Sequence, residues 1–297
     1  MSNPDIYKAQ VPRRSSRHRI RGVDYSVSEW GDPERPMFVW LHGWGDCAAT
    51  FQFVVDKFDK DWYVVAPDFR GFGESKTDAA AFWFPDYLAD LDQILDVYSP
   101  GQPVRLVGHS MGANVGGLYA GVLPERVCAF VNVEGFGLAD SDPGDAPARY
   151  RKWLEMSRSA PGFSTYQDFA ALAARIRKRN PNIGDARAEF VARCWAHAEN
   201  GHIELHASPR HRLPNAVLYR RAESEACWRN VSAPVLLVAG GDSEFARAVD
   251  ARLDIGSLAL PYPGATTSVI DGAGHMMHFE APAELASAIE TFLSKTL

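Results

Sequence analysis

Covalent chemistry in this chain of 297 residues points first to Ser110, set in Gly108-His109-Ser110-Met111-Gly112. Glycines two residues to either side of a serine suit a tight strand-to-helix turn. A side chain at either place would hold the helix away from the strand. A serine hydroxyl is a weak nucleophile at neutral pH and needs a base beside it. His275 is the candidate base, because Gly272-Ala273-Gly274 before it form a loop able to carry an imidazole over the end of a sheet. Such a base takes the serine proton and later gives it to the leaving group. A carboxylate behind the ring would orient it and stabilise its charged form. Glu134 and Asp242 each follow an apolar run and are candidates for that place.

These groups need elements to hold them. The run Pro103–Val107 leads into Ser110 as a strand, and a small-residue helix from Ala113 leads out. Alternation around Gly22 predicts a hairpin over Arg17–Arg21 and Val23–Glu29. Further strands are expected at Met37–Leu41, Trp62–Ala66, Val127–Val133 and Pro234–Ala239, with a short one at Thr266–Ile270. Helices are expected at about 48–58, 85–98, 244–253 and 283–293. The second of these places Tyr87, Leu88, Leu91, Ile94, Leu95 and Tyr98 on one face. After a polar linker at about 138–147 the strand texture disappears. Helical patterns then occupy about 150–157, 166–178 and 186–198. The expected architecture is α/β, a mostly parallel central sheet flanked by helices. Its core would comprise 1–137 and 229–297, with 138–228 inserted as a helical cap. In such sheets ligands bind at the carboxyl ends of the strands, where Ser110, Glu134, Asp242 and His275 fall.

Composition narrows the function classes. A net charge of −6 argues against nucleic acid as a partner. Residues 1–20 are polar and basic, without the apolar stretch of a signal peptide, and no run suits a membrane span. Cys47, Cys128, Cys194 and Cys227 lack metal-ligand spacing and fit a reduced, cytoplasmic protein. Arg151, Lys152, Arg175, Arg177, Lys178 and Arg179 read as a solvated helix face.

Four motifs stand in order, each after an expected strand: His42-Gly43-Trp44-Gly45, Asp68-x-Arg70-Gly71-x-Gly73-x-Ser75, Gly108–Gly112 and Gly272-x-Gly274-His275. Together they resemble the α/β-hydrolase fold family, over the chain from about residue 17 to the end. The family order of nucleophile, acid and histidine is kept. The resemblance leaves the acid open. Glu134 lies 24 residues after Ser110, at the strand end where haloalkane dehalogenases and some lipases carry theirs. Asp242 ends the later strand, the commoner location, but there the family pattern Gly-x-x-Asp counted from Gly240 lands on Ser243. Asp242 fits with a shift of one residue, and Glu244 with the opposite shift.

The resemblance further implies an oxyanion hole from the backbone N–H groups of Met111 and Trp44. It gives His42 and His109 structural roles in shaping the loop and the turn. His278 is expected to pack, and the Asp68–Ser75 stretch to form a held turn. Aromatic residues in or beside the cap, including Phe82, Phe136, Phe163, Tyr166 and Trp195, imply an apolar pocket. The activity implied is a cofactor-free serine hydrolase acting on a small or medium apolar ester. Thioesterase, lactonase, amidase, carbon–carbon bond hydrolase and perhydrolase use the same residues. Dehalogenases and epoxide hydrolases need a carboxylate where this chain has Ser110. A non-enzymatic ligand sensor on the same scaffold is the competing class.

Overall fold

The structure, a computed structural model, describes residues 6–244 and 260–296. Its strands are β1 (Arg14–Ile20), β2 (Val23–Trp30), β3 (Met37–Leu41), β4 (Tyr63–Pro67), β5 (Val104–His109), β6 (Val127–Val133), β7 (Ala196–Glu199), β8 (His202–Leu205), β9 (Val235–Gly240) and β10 (Thr266–Ile270). Eight of them form one sheet in the order β1-β2-β4-β3-β5-β6-β9-β10. The hairpin β1–β2 is antiparallel, and β2 runs antiparallel to β4. From β4 to β10 every pair is parallel. The strand order reverses between β3 and β5, so a crevice opens between their carboxyl ends.

The inner strands β3, β4, β5, β6 and β9 are buried on both faces and are therefore mostly apolar, whereas the edge strands β1 and β10 are polar and largely exposed. On β3, Val39 and Leu41 face one layer while Phe38 and Trp40 face the other. The first layer holds α2 (Phe84–Tyr98), α3 (Met111–Val122) and α7 (Arg221–Arg229). The second holds α1 (Gln52–Val55) and α9 (Pro282–Leu293), where Trp40 stacks on Phe51 at 4.1 Å. The short α8 (Met277–Glu280) precedes α9.

Between β6 and β9 the chain leaves the sheet and forms α4 (Ala146–Arg158), α5 (Phe169–Arg179), α6 (Asp185–Trp195) and the ribbon β7–β8. Leu172, Ile176, Ile183, Val191 and Ile203 bury one another here, closed from below by Phe53 and Phe279. The ribbon lies in a stretch expected to hold no strands. Asn200 (φ 48°) and Gly201 (φ 81°) form its two-residue turn, the left-handed pair that matches strand twist. The range read as cap also includes α7, which packs on the core side. A Cβ on Gly121 of α3 would stand 2.0 Å from the Cys227 carbonyl oxygen, and Trp228 joins the first core layer. The insertion is seamed to the core by an isolated bridge, Phe72 to Ala207. The Gly73 N–H donates to His206 O and the Ser208 N–H to Gly71 O, each at 2.8 Å.

The expected helix at 244–253 lies, beyond Glu244, outside the described residues. Among the described residues no helix is long and apolar enough to cross a membrane.

Candidate active site

Ser110 sits between β5 and α3 with φ 52° and ψ −115°, a left-handed conformation that costs a non-glycine residue about 1–3 kcal/mol. Packing forces it. A Cβ on Gly112 would lie 2.2 Å from Leu41 O, and one on Gly108 would lie 2.5 Å from the Ala113 Cα. With both glycines in place, α3 drops onto the sheet and the serine is lifted to the helix N-terminus. The Ser110 N–H donates to Val133 O at 2.8 Å and fixes the turn to the next strand.

One strand further on the same device recurs. Glu134, immediately after β6, has φ 59°, and its N–H donates to Val238 O of β9 at 3.0 Å. Its carboxylate is fully buried. Oε1 accepts the Gly240 N–H at 2.8 Å, and Oε2 accepts the Ser243 hydroxyl at 2.6 Å. Burial of a carboxylate is tolerated here because donors surround it.

His275 bridges the two turns. Its Nδ1 stands 3.0 Å from Glu134 Oε2, and its Nε2 stands 3.1 Å from Ser110 Oγ. With Glu134 ionised, Nδ1 carries the proton, which leaves Nε2 with a lone pair aimed at the serine. Asp242 and Glu244 are exposed. The hydrogen bond of Asp242 runs from its backbone N–H to Ala273 O. The geometry thus brings together Ser110, His275 and Glu134, and leaves the other two carboxylates at the surface. Ser243, which the family pattern marked as a mismatch, belongs to the candidate site through its hydroxyl on Glu134. Its place three residues after Gly240, with a glutamate just past β6, the sheet neighbour of β9, was the signal.

The loop after β3 is held by histidine chemistry. The Phe69 N–H donates to His42 Nε2 at 2.8 Å, so the proton lies on Nδ1, which donates to Gly43 O at 2.7 Å. His109 is buried and donates from Nε2 to the His275 carbonyl at 2.9 Å. Desolvation, and then the nearby His278 and His275, hold it well below the usual histidine range, so it stays neutral. It also crowds position 43, where a Cβ would stand 3.0 Å from its Nδ1. His278 is buried, and its Nε2 lies 3.0 Å from Asp46 Oδ2. Burial acts to raise the Asp46 carboxyl, but His278, His42 and the Trp195 indole together outweigh that and hold it below the ordinary range. Asp68 caps the next loop by accepting N–H groups of Ala48 and Glu74, at 2.7 and 2.8 Å. Among the described residues the N–H groups of Trp44 and Met111 make no hydrogen bond. Met111 opens α3, so its N–H has no partner within the helix.

A cavity of about 550 Å³ reaches from the insertion down to His275. Trp44, Phe163, Tyr166, Leu172, Ile176 and Leu205 line it. Trp195 and Met276 also line it, whereas Phe136, Met277 and Phe279 are core and Phe82 stacks on His211. Arg175 and Arg179, read from sequence as part of a solvated face, line the same cavity.

Comparison with known proteins agrees with this fold. A family model described as alpha/beta hydrolase fold matches residues 36–282. The chain belongs to that family. A "Serine hydrolase-like protein" of Danio rerio is 25% identical over 273 residues, covering 89% of this chain and 83% of the relative. A "Serine hydrolase-like protein" of Dictyostelium discoideum is 26% identical, covering 76% of this chain and 66% of the relative. Among solved structures, the "Thioesterase Domain From Curacin Biosynthetic Pathway" is 25% identical with a TM-score of 0.84. That match covers 94% of this chain and 99% of the domain. The family and these neighbours support hydrolase activity.

Proposed function

We propose that the protein is a serine hydrolase that cleaves a small or medium apolar carboxylic ester through an acyl-enzyme. The observation that carries this reading is the hydrogen-bonded line from Ser110 Oγ through His275 to the buried Glu134. Ser110 Oγ attacks the ester carbonyl carbon while His275 Nε2 takes the hydroxyl proton. The carbonyl oxygen becomes an oxyanion facing the N–H groups of Met111 and Trp44, each donor contributing about 3 kcal/mol in the transition state. Collapse breaks the bond to the alcohol, which leaves with the proton from Nε2. Water, deprotonated by His275, then attacks the acyl carbon and returns the free acid and Ser110. Glu134 keeps the imidazole oriented and offsets its charge in both halves.

A thioester in place of the ester is the second reading. It is favoured by the likeness to the curacin thioesterase domain, and the same steps expel a thiol. Labelling with a fluorophosphonate, together with turnover of p-nitrophenyl butyrate and an acyl thioester, tests both. The expected result is stoichiometric labelling that Ser110→Ala abolishes, with turnover reduced by roughly 10⁴-fold or more. Folded protein that neither labels nor turns over any member of an ester, thioester and lactone panel refutes the hydrolase reading.

A further inference from the structure

The apolar cavity above His275 carries an unbalanced charge. Its charged lining consists of Asp46, Arg175, Arg179 and Arg212. Asp46 is already engaged: its Oδ1 accepts the Thr50 hydroxyl and the Trp195 indole N–H, and its Oδ2 faces His278. Three guanidinium groups remain, in a chain whose net charge is −6.

The placement of these arginines follows the helix repeat. Leu172, Arg175, Ile176 and Arg179 recur at i, i+3, i+4 and i+7, so they share the face of α5 that lines the cavity. Arg177, off that face, pairs with Asp185 at 3.2 Å. Among the described residues Arg175 and Arg179 have no carboxylate partner. Arg212 donates from one nitrogen to Gly162 O and lies over the Phe163 ring at 5.9 Å, which leaves most of its donors free. Arg179 also borders a second pocket lined by Asp242, Glu244 and Glu280, but among the described residues none of the cavity arginines has a carboxylate within 4 Å, whereas Arg177, which turns away, is paired. A guanidinium fork binds carboxylate, phosphate or sulfate oxygens in pairs. The rest of the lining is mostly aromatic and aliphatic, with Ser164, Asn180 and His206 as polar members beside His275.

We infer that the natural substrate carries an anionic group remote from its scissile carbonyl, separated from it by an apolar stretch, and that Arg175, Arg179 and Arg212 receive that anion. This rests on the proposed hydrolase reading and narrows it from an apolar ester to an amphipathic one. The cavity walls take the apolar stretch. The arginines draw the substrate against the sign of the whole molecule, so the attraction is screened by salt.

The test compares mono-p-nitrophenyl suberate with its methyl-capped diester, which differs by one charge. It also compares binding of monomethyl suberate and dimethyl suberate to Ser110→Ala protein by calorimetry, where no turnover is needed. The expected result is a preference for the anion of tenfold or more in kcat/KM or in Kd at 20 mM salt. That preference should shrink at 500 mM salt and collapse in the triple Arg175→Gln, Arg179→Gln, Arg212→Gln variant. Arg177→Gln should retain it. All three arginines are exposed, so the variant is expected to fold, which its Tm checks. Parity of charged and capped compounds in both assays overturns the inference, as does a preference that survives the triple substitution. If no ester is hydrolysed but monomethyl suberate still binds preferentially, the hydrolase reading fails and the anion site stands.

Discussion

At the scale of single residues, the choice of acid turns on burial. Glu134 and Asp242 both follow strands, but the first is enclosed with two donors on its oxygens and the second is exposed. In Glu134→Gln, kcat on p-nitrophenyl butyrate is expected to fall roughly 10²–10⁴-fold, because the amide no longer offsets the imidazolium. Asp242→Asn is expected to stay within about threefold of wild type, as surface substitutions usually do. Steady-state kinetics of the two variants side by side decide the matter, and the reverse ranking would remove Glu134 from the mechanism. The contact between Glu134 and Ser243 suggests a sharper test. Moving the carboxylate, as Glu134→Gln with Ser243→Asp, is expected to recover about tenfold or more of the activity lost in Glu134→Gln alone. Ser110 and His275 were legible from glycine spacing because the turns that present them demand small neighbours. Which carboxylate meets His275 was not, since both follow apolar runs and nothing local records which one the neighbouring strand covers.

At the scale of elements, the seam between insertion and core includes one buried histidine. His211 lies between the rings of Phe72 and Phe82, with centroids 3.7 Å away on each side, and its Nε2 donates to Arg70 O at 3.1 Å. Desolvation lowers it to about 3, so the folded protein holds it neutral. The free imidazole titrates near 6.5, and between those values the unfolded chain binds the extra proton. Stability is therefore unaffected by this group above about 6.5 and declines as pH falls towards 3, by up to about 1.4 kcal/mol per pH unit. Urea unfolding at pH 7.5, 6.5, 5.5 and 4.5 is expected to show a shallower decline in His211→Phe by that amount. Equal slopes in the two proteins would contradict it. The elements themselves were mostly legible: β3 and β6 have the expected bounds, and α2 begins one residue early. Two features were missed for local reasons. The Asn200-Gly201 turn was overlooked among helical patterns. The helix expected at 48–58 became a 3-10 turn at Ala48–Phe51 followed by the short α1.

At the scale of the whole molecule, the N-terminal segment ties the two parts together. The Tyr7 hydroxyl donates to Asp56 at 2.9 Å, its N–H donates to Ala186 O of α6 at 3.1 Å, and its ring packs on Phe53 and Phe190. Asp56, just past α1, also accepts the N–H groups of Gln10 and Val11. Asp56→Ala leaves these donors unmatched and is expected to cost about 2 kcal/mol. With an unfolding entropy of about 2.1 cal/mol/K per residue, that corresponds to a fall in Tm of about 3 °C for a chain of 297 residues. Calorimetry measures it, and limited proteolysis should show earlier cleavage within 138–220. An unchanged Tm would mean that the segment merely rests on the surface.

The two left-handed turns have a consequence for how the site would wear out. Ser110 and Glu134 belong to adjacent strands, and each is tied by its own N–H to the strand beyond. Their separation is therefore set by the spacing of the sheet, the part of a fold that opens last in hydrogen exchange. His275 rides on a loop. Thermal fluctuation short of unfolding would reach the chemistry through the imidazole alone, and a brief excursion of that loop would be reversible, because the sockets on either side keep their shape until the sheet itself gives way.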